Sequence, residues 1–267
     1  VKAERWRFIE SGSQAGALNM ALDEAILEAH LAGETPPTLR VYGWHPPAVS
    51  LGRFQRVDRS VDLDACRQLG VDVVRRPTGG RAILHTADEV TFGLVICAQR
   101  LGASGVMDAY RALAQGIIAG LRLLGLEARL VERTGPSGSA AAQDPACFAV
   151  KARCDLVVGS AKLVGSAQVQ RQGAILQQNS LPLRLRPGDW AAVFRRSGEA
   201  PQAMGLCDAA AREVSHEEAA DALRRGFAQA FGVSLEESRI SEREEAAARD
   251  LVGKAEVRLT STGAGSA

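Results

Sequence analysis

Residues 154–181 hold three consecutive β-like runs, "CDLVV", "AKLVGSAQVQ" and "GAILQQNSL", separated only by tight, glycine-containing turns. So much strand with so little connection commits this part of the chain to sheet. More strand pattern lies upstream. "TLRVYGW" and "PAVSLGR" flank a turn at Pro46-Pro47, and "VDVVRR" and "EVTFGLVIC" bracket a glycine turn at 77–80. Helical spacing is confined to other stretches. Leu18, Ala21, Leu22, Ala25, Ile26 and Ala29 recur at helical period within 15–32, with Gly33 as a stop. A shorter helix is expected over 58–69, carrying Leu63, Cys66 and Leu69, and a clear amphipathic one over 106–125. From residue 186 the pattern turns helical, with helices near 215–231 and 241–252; Ser215 and Glu218 suit a capping box. Strands and helices interleave without regular βαβ alternation, which predicts an α+β fold. Residues 133–146 are small, polar and turn-prone, a loop within one domain of residues 1–255. The tail over 256–267 is expected to be flexible.

Bulk properties exclude several functions. Lys and Arg total 32 against 31 Asp and Glu, so no global field draws the chain to nucleic acid or to a membrane surface. No apolar run approaches the ~18 residues of a membrane span. The five cysteines, at 66, 97, 147, 154 and 207, make no CxxC pair. They resemble neither a disulfide framework nor a zinc site, so no metal is expected, and a reduced, cytoplasmic setting is the simplest reading.

Three features carry potential chemistry. In "RRPTGGRAILH", residues 75–85, two glycines let backbone amides approach a carbonyl or phosphate, and Arg75, Arg76 and Arg81 add charge. A plain hairpin turn with solvated arginines fits the spacing equally well. His85 reads as a hydrogen-bonded structural histidine, and Asp88 and Glu89 lack a partner at acid/base spacing. No Ser/His/Asp constellation is visible. Cys147 follows the 133–146 loop, where a thiol can be presented to a cleft; Cys154 has an ordinary chance of facing the core, and Cys66, Cys97 and Cys207 sit in core-like contexts. Lys162, between Ala161 and Leu163, admits two readings: a buried ammonium that favours a thiolate or an oxyanion, or a side chain that snorkels to solvent.

Taken in order, "WRFIESGSQAGALNMALDEAIL", "LRVYGWHPPAVSLGRFQ", "VRRPTGGRAILH", "ACF" and "GSAKLVGSAQVQRQGAILQQNSL" resemble the lipoate/octanoate branch of the biotin–lipoate protein ligase superfamily. The resemblance is closest to the LipM-type octanoyltransferases and runs from about residue 5 to 252. It implies a mixed β-sheet core flanked by helices, with an acyl tunnel lined by the glycine loop. It implies transfer of an octanoyl group from octanoyl-acyl carrier protein to a lysine of a lipoyl acceptor, such as the glycine cleavage H protein or a lipoyl domain, with no cofactor. The family's nucleophilic cysteine and tuning lysine fall on Cys147 and Lys162, fifteen positions apart. Arg76, Thr78, Gly79, Gly80, His85, Gly165, Ser166 and Ala167 would line the acyl site. Two departures stand out: "AVKAR" follows Cys147-Phe148, bringing Lys151 and Arg153 near the site, and Ser160-Ala161 precede the lysine.

Three rival readings remain at this stage. An ATP-dependent lipoate–protein ligase shares the glycine loop and the lysine without needing a cysteine. An amidotransferase would pass octanoyl between acceptor proteins, but its cysteine stands closer to the following Asp-Leu than the eight-residue step from Cys147 to Asp155. A non-enzymatic binder of acylated partners would leave Cys147 incidental.

Overall fold

The structure is a computed structural model describing residues 3–57, 61–131, 155–195 and 203–257. Its frame follows from the glycine turns. Gly159 (φ 59°), Gln172 (φ 47°) and Gly173 (φ 85°) take the left-handed backbone that tight hairpins require. They fold β8 (Asp155–Val158), β9 (Ala161–Arg171) and β10 (Ala174–Pro182) into an antiparallel meander. β10 pairs with β6 (Glu89–Cys97) and β6 with β2 (Thr38–Trp44), both antiparallel. β1 (Glu4–Gln14) then lies parallel to β2 on one side and to β11 (Val233–Ser238) on the other. With β7 (Ala128–Val131) at the far edge, the eight-stranded order is β11-β1-β2-β6-β10-β9-β8-β7. A second sheet of three strands, β4-β3-β5, joins β3 (Ala48–Leu51), β4 (Asp72–Arg75) and β5 (Ile83–His85). The sheet is mixed and the fold α+β, as expected.

Helices cover both faces of the large sheet. On one face, Leu113, Ile117 and Leu121 of α3 (Val106–Leu123) and Leu223 and Phe227 of α6 (His216–Phe231) share a core with Phe92, Leu94, Leu156 and Leu163. The two helices meet at glycines: a Cβ on Gly226 would stand 2.2 Å from the Gly120 nitrogen, so any side chain there would push them apart. On the other face, Ile26 and Leu27 of α1 (Gly16–Leu31) pack on Val95 and Leu176, while α7 (Glu242–Ala255) covers Ala21, Leu22 and Ala25 with Ala248. Sandwiched in this way, α1 also buries three polar residues, Asn19, Asp23 and Glu24. Among the described residues, no helix is long and apolar enough to cross a membrane.

Several expectations need correction. The helix expected over 58–69 is α2 (Leu63–Gln68), started by Asp62, whose carboxylate accepts the amides of Asp64 and Ala65; residues 58–60 lie outside the described part. Ser215 does cap α6, but the Glu218 side chain turns to Arg212 instead of closing a box. The reciprocal box belongs to Ser241 and Glu244 on α7. Short helices α4 (Pro187–Val193) and α5 (Leu206–Ala210) precede α6. Cys66 and Cys207 are buried as expected, whereas Cys97, at the end of β6, is only half-buried. The chain also stays docked past residue 255, with the Val257 amide on the Val73 carbonyl at 3.1 Å; residues 258–267 lie outside the described part.

Candidate active site

The glycine turn is held from inside by Arg76, which is buried against expectation of a solvated arginine. Its guanidinium donates to the Ser50 carbonyl (2.9 Å) and hydroxyl (3.1 Å), to the Thr78 hydroxyl (3.2 Å), to the Gly79 carbonyl (2.6 Å) and to the Arg81 carbonyl (2.7 Å). A planar fork of five N–H donors suits such a convergent set. Gly80 is left-handed at φ 87°, and a Cβ there would meet the Arg76 guanidinium at 2.8 Å and the Ala167 methyl at 3.5 Å. Gly52 supports the loop from below, where a Cβ would lie 1.9 Å from the Gly80 carbonyl oxygen.

Two buried hydrogen-bond chains run outward from Arg76. In the first, the Thr78 hydroxyl donates to Gln178 (2.8 Å), whose amide donates to Asp23 (2.7 Å). Asp23 also receives the Tyr42 phenol (2.7 Å) and Arg40 (2.8 Å). Burial and the neighbouring Asp23 carboxylate hold the Tyr42 phenol well above its ordinary pKa, so it remains a donor.

The second chain joins residues that the sequence did not connect. Ser50 Oγ lies 2.7 Å from His85 Nε2, and His85 Nδ1 lies 2.8 Å from Glu89 Oε1. Glu89 therefore has a partner after all, and a Ser–His–Glu constellation exists: β3 and β5 are neighbours in the small sheet, which brings Ser50 to a histidine thirty-five positions away. With Nδ1–H donated to Glu89, Nε2 accepts the Ser50 hydroxyl, and that hydroxyl in turn accepts from Arg76. The relay thus fixes Arg76, and through it the glycine loop. His85 also stacks on Trp44 at 3.9 Å between ring centroids.

These elements surround a narrow cavity lined by Met20, Tyr42, Trp44, Ile83, Ala167 and Ser180, among others. It encloses about 20 Å³, room for roughly one water. An acyl chain needs side chains to give way, and Met20 is the most adaptable of the lining. The Ser180 hydroxyl, buried on this wall, has no hydrogen-bond partner among the described residues. A much larger concavity of about 1020 Å³ lies around Trp6, His30 and Cys97, but it holds none of the residues expected in the site.

Of the expected lining residues, Arg76, His85 and Ala167 border the cavity itself, and Thr78, Gly79 and Gly80 form the loop beside it. Ser166 bonds Asn179 (2.8 Å), and Gly165 pairs with Ser180 across β9–β10. Lys162 does not reach solvent. It is completely buried, and its ammonium lies 2.9 Å from Asp155, a partner the sequence reading missed. The signal was available in principle, because a buried ammonium must be paired. The Met204 amide holds the Lys162 carbonyl at 3.0 Å. Cys147, Cys154, Lys151 and Arg153 lie outside the described residues. No cluster of potential metal ligands occurs among the described residues.

A mixed sheet with helices on both faces, an arginine-braced glycine loop at its cavity and a buried, paired lysine on β9 together fit a ligase-type acyl-transfer fold. The family model for the lipoyl protein ligase A/B catalytic domain matches residues 15–228. The octanoyltransferase LipM of Kyrpidia tusciae is 40% identical over 94% of this chain and 96% of its own length. That of Symbiobacterium thermophilum is 42% identical over 92% and 94%. Among solved structures, lipoate–protein ligase A bound with ATP superposes with a TM-score of 0.78 at 27% identity, covering 94% of this chain and 95% of that one. The bi-partite lipoate protein ligase of Thermoplasma acidophilum, studied with its E2 lipoyl domain, gives 0.75 at 25%, covering 94% and 93%. The chain belongs to the lipoyl protein ligase A/B catalytic family, in its LipM-like branch, and is an acyltransferase of protein lipoylation.

Proposed function

We propose that this protein moves an octanoyl group from octanoyl-acyl carrier protein to a specific lysine of a lipoyl-acceptor protein, of the glycine cleavage H protein or lipoyl-domain type, through a thioester on Cys147. The observation that carries this reading is nearly full-length similarity to octanoyltransferases at 40–42% identity. In the first step the Cys147 thiolate attacks the carrier's thioester carbonyl. The tetrahedral oxyanion collapses, the carrier thiolate leaves, and octanoyl remains on Cys147. In the second step the acceptor's neutral lysine amine attacks that thioester, an amide forms, a proton is lost and the Cys147 thiolate is released. Thioester exchange is nearly balanced and amide formation runs downhill, so neither ATP nor another cofactor is required. Covalent catalysis of this form gives ping-pong kinetics.

Lys162 supports both steps. Its ammonium is fully buried and held by Asp155 at 2.9 Å, which keeps the charge in one place and paired. The pairing partly neutralises the field of Lys162, so its part is to stabilise developing oxyanion charge more than to act as a bare cation. The trans peptide that aims the Gly79 carbonyl at Arg76 sends the Gly80 N–H the opposite way, a second donor for developing charge. The Ser180 hydroxyl, which has no partner among the described residues, suits an acyl carbonyl entering the cavity. The scattered thiols fit a cytoplasmic setting.

Incubation with octanoyl-acyl carrier protein should add the mass of one octanoyl group to a peptide containing Cys147, and Cys147→Ser should lose both label and transfer. Full activity in Cys147→Ser, or label on Cys154, removes the assignment. Transfer from free acid plus ATP, with none from the carrier, identifies a ligase instead.

A further inference from the structure

Beside the glycine loop, residues 52–55 form a turn that is unusually well tied down. Its Arg53 amide donates to the Thr78 carbonyl (2.9 Å), and the Gln55 amide to the Gly52 carbonyl (2.9 Å). The Gln55 side chain in turn accepts the Gly52 amide at 3.0 Å. From β4, Arg75 donates to three carbonyls of the turn, those of Gly52 (3.0 Å), Arg53 (3.1 Å) and Gln55 (2.9 Å). A turn braced on every side nevertheless presents Phe54 to solvent at 87% exposure, the most exposed large apolar side chain described. A phenyl held rigidly in the open against the acyl-site loop is a preordered anchor, and aromatic side chains of this kind dominate the binding energy of protein interfaces.

Basic side chains gather here. Residues 52–57 and 75–81 carry Arg53, Arg56, Arg75 and Arg81, besides Arg76 buried inside the loop. The Arg53 guanidinium lies over the Phe54 ring at 5.6 Å, so ring and cation form one patch. We propose that Phe54 and Arg53, with Arg56, Arg75 and Arg81 around them, are the docking surface for the acyl donor, a protein whose face around the thioester is acidic. This rests on the acyl-carrier reading given above. Charge separates the candidate occupants. An acyl carrier offers its thioester on a pantetheine arm whose phosphodiester adds negative charge, which these four arginines attract. An acceptor protein leads with a lysine, which the same arginines oppose. A second copy of this chain would set arginine against arginine across a symmetric contact.

The test compares two donors in the full-length protein. Phe54→Ala and Arg53→Glu should each raise KM for octanoyl-acyl carrier protein about tenfold, as loss of an aromatic or arginine anchor does at protein interfaces. With octanoyl-pantetheine, which has no protein surface to dock, kcat/KM should stay unchanged. Wild-type KM for the carrier should climb with salt, and Arg53→Glu should flatten that dependence. Equal losses on both donors, no loss on the carrier, or a KM change confined to the acceptor would overturn the assignment. So would concentration-dependent dimerisation that Phe54→Ala abolishes. Failure of the underlying functional reading shows separately, as a wild-type protein that transfers nothing from octanoyl-acyl carrier protein.

Discussion

At the scale of single residues, Lys162 and Asp155 show how a buried charge is made tolerable. Neither is more than a few per cent exposed, and they meet at 2.9 Å. Removing one partner of a buried pair leaves the other charge in a low-dielectric interior, at a cost of about 3–5 kcal/mol. Asp155→Asn should therefore lower unfolding free energy by that order in urea titrations. Adding Lys162→Met should recover most of the loss while abolishing transfer. Undiminished stability in Asp155→Asn alone would show that the pair is not the chief support of Lys162. The sequence exposed the lysine but not its partner. Apolar flanks at Ala161 and Leu163 fit two opposite orientations, and a register shift between Leu156 and Val157 in the β8–β9 ladder defeats simple counting across the hairpin.

At the scale of elements, the glycine loop depends on its neighbour β3 as much as on its own glycines. Gly52, just past β3, is not in a left-handed conformation, so alanine there carries no backbone penalty of its own. A methyl would nonetheless meet the Gly80 carbonyl oxygen at 1.9 Å and displace the loop. Displacements near 1 Å at a reacting site cost roughly 100-fold in rate. Gly52→Ala should show a kcat lower by about that factor with near-native circular dichroism and Tm; wild-type turnover would mean that the loop's position is not critical. Legibility at this scale followed periodicity. α3 and α6 carry clean apolar stripes that locate them to within two residues, while β1, with Trp6, Phe8 and Ile9 set among charged and polar residues, offers no sustained alternation. β11 is six residues long and largely solvated, so it too stayed silent. The Ser50–His85–Glu89 relay was invisible because it depends on strand neighbours, which no local pattern encodes.

At the scale of the whole molecule, two carboxylates tie the layers together. Glu24 on α1 receives Arg171 from β9 (2.9 Å) and Lys254 from α7 (2.7 Å), and Glu244 on α7 receives Arg7 from β1 (2.9 Å). Burial disfavours the charged form of each, yet the bonds from these cations, with Ser241 helping at Glu244, hold both carboxyls below their ordinary values. A carboxyl depressed in the folded state contributes stability above its unfolded pKa of about 4.3 and loses it as pH falls through the folded value. Tm should therefore be level from neutral pH to about 5 and fall steeply below about 4. Glu24→Gln and Glu244→Gln should each lower Tm at pH 7 by a few degrees, about the shift expected for 1 kcal/mol, and make the acid limb shallower. An unchanged acid limb in both variants would place acid sensitivity elsewhere.

The parallel pairing of β1 with β11 has a consequence during synthesis. β1 lies inside the sheet, between β2 and β11, and is made long before β11. Among the described strands, the one that covers its second edge comes last in the chain. Until Val233–Ser238 arrive, that edge offers unpaired N–H and C=O groups to any other chain, the situation in which strands recruit partners and aggregate. The nascent protein has to be sheltered, or kept dilute, from the time β1 is made until β11 reaches it.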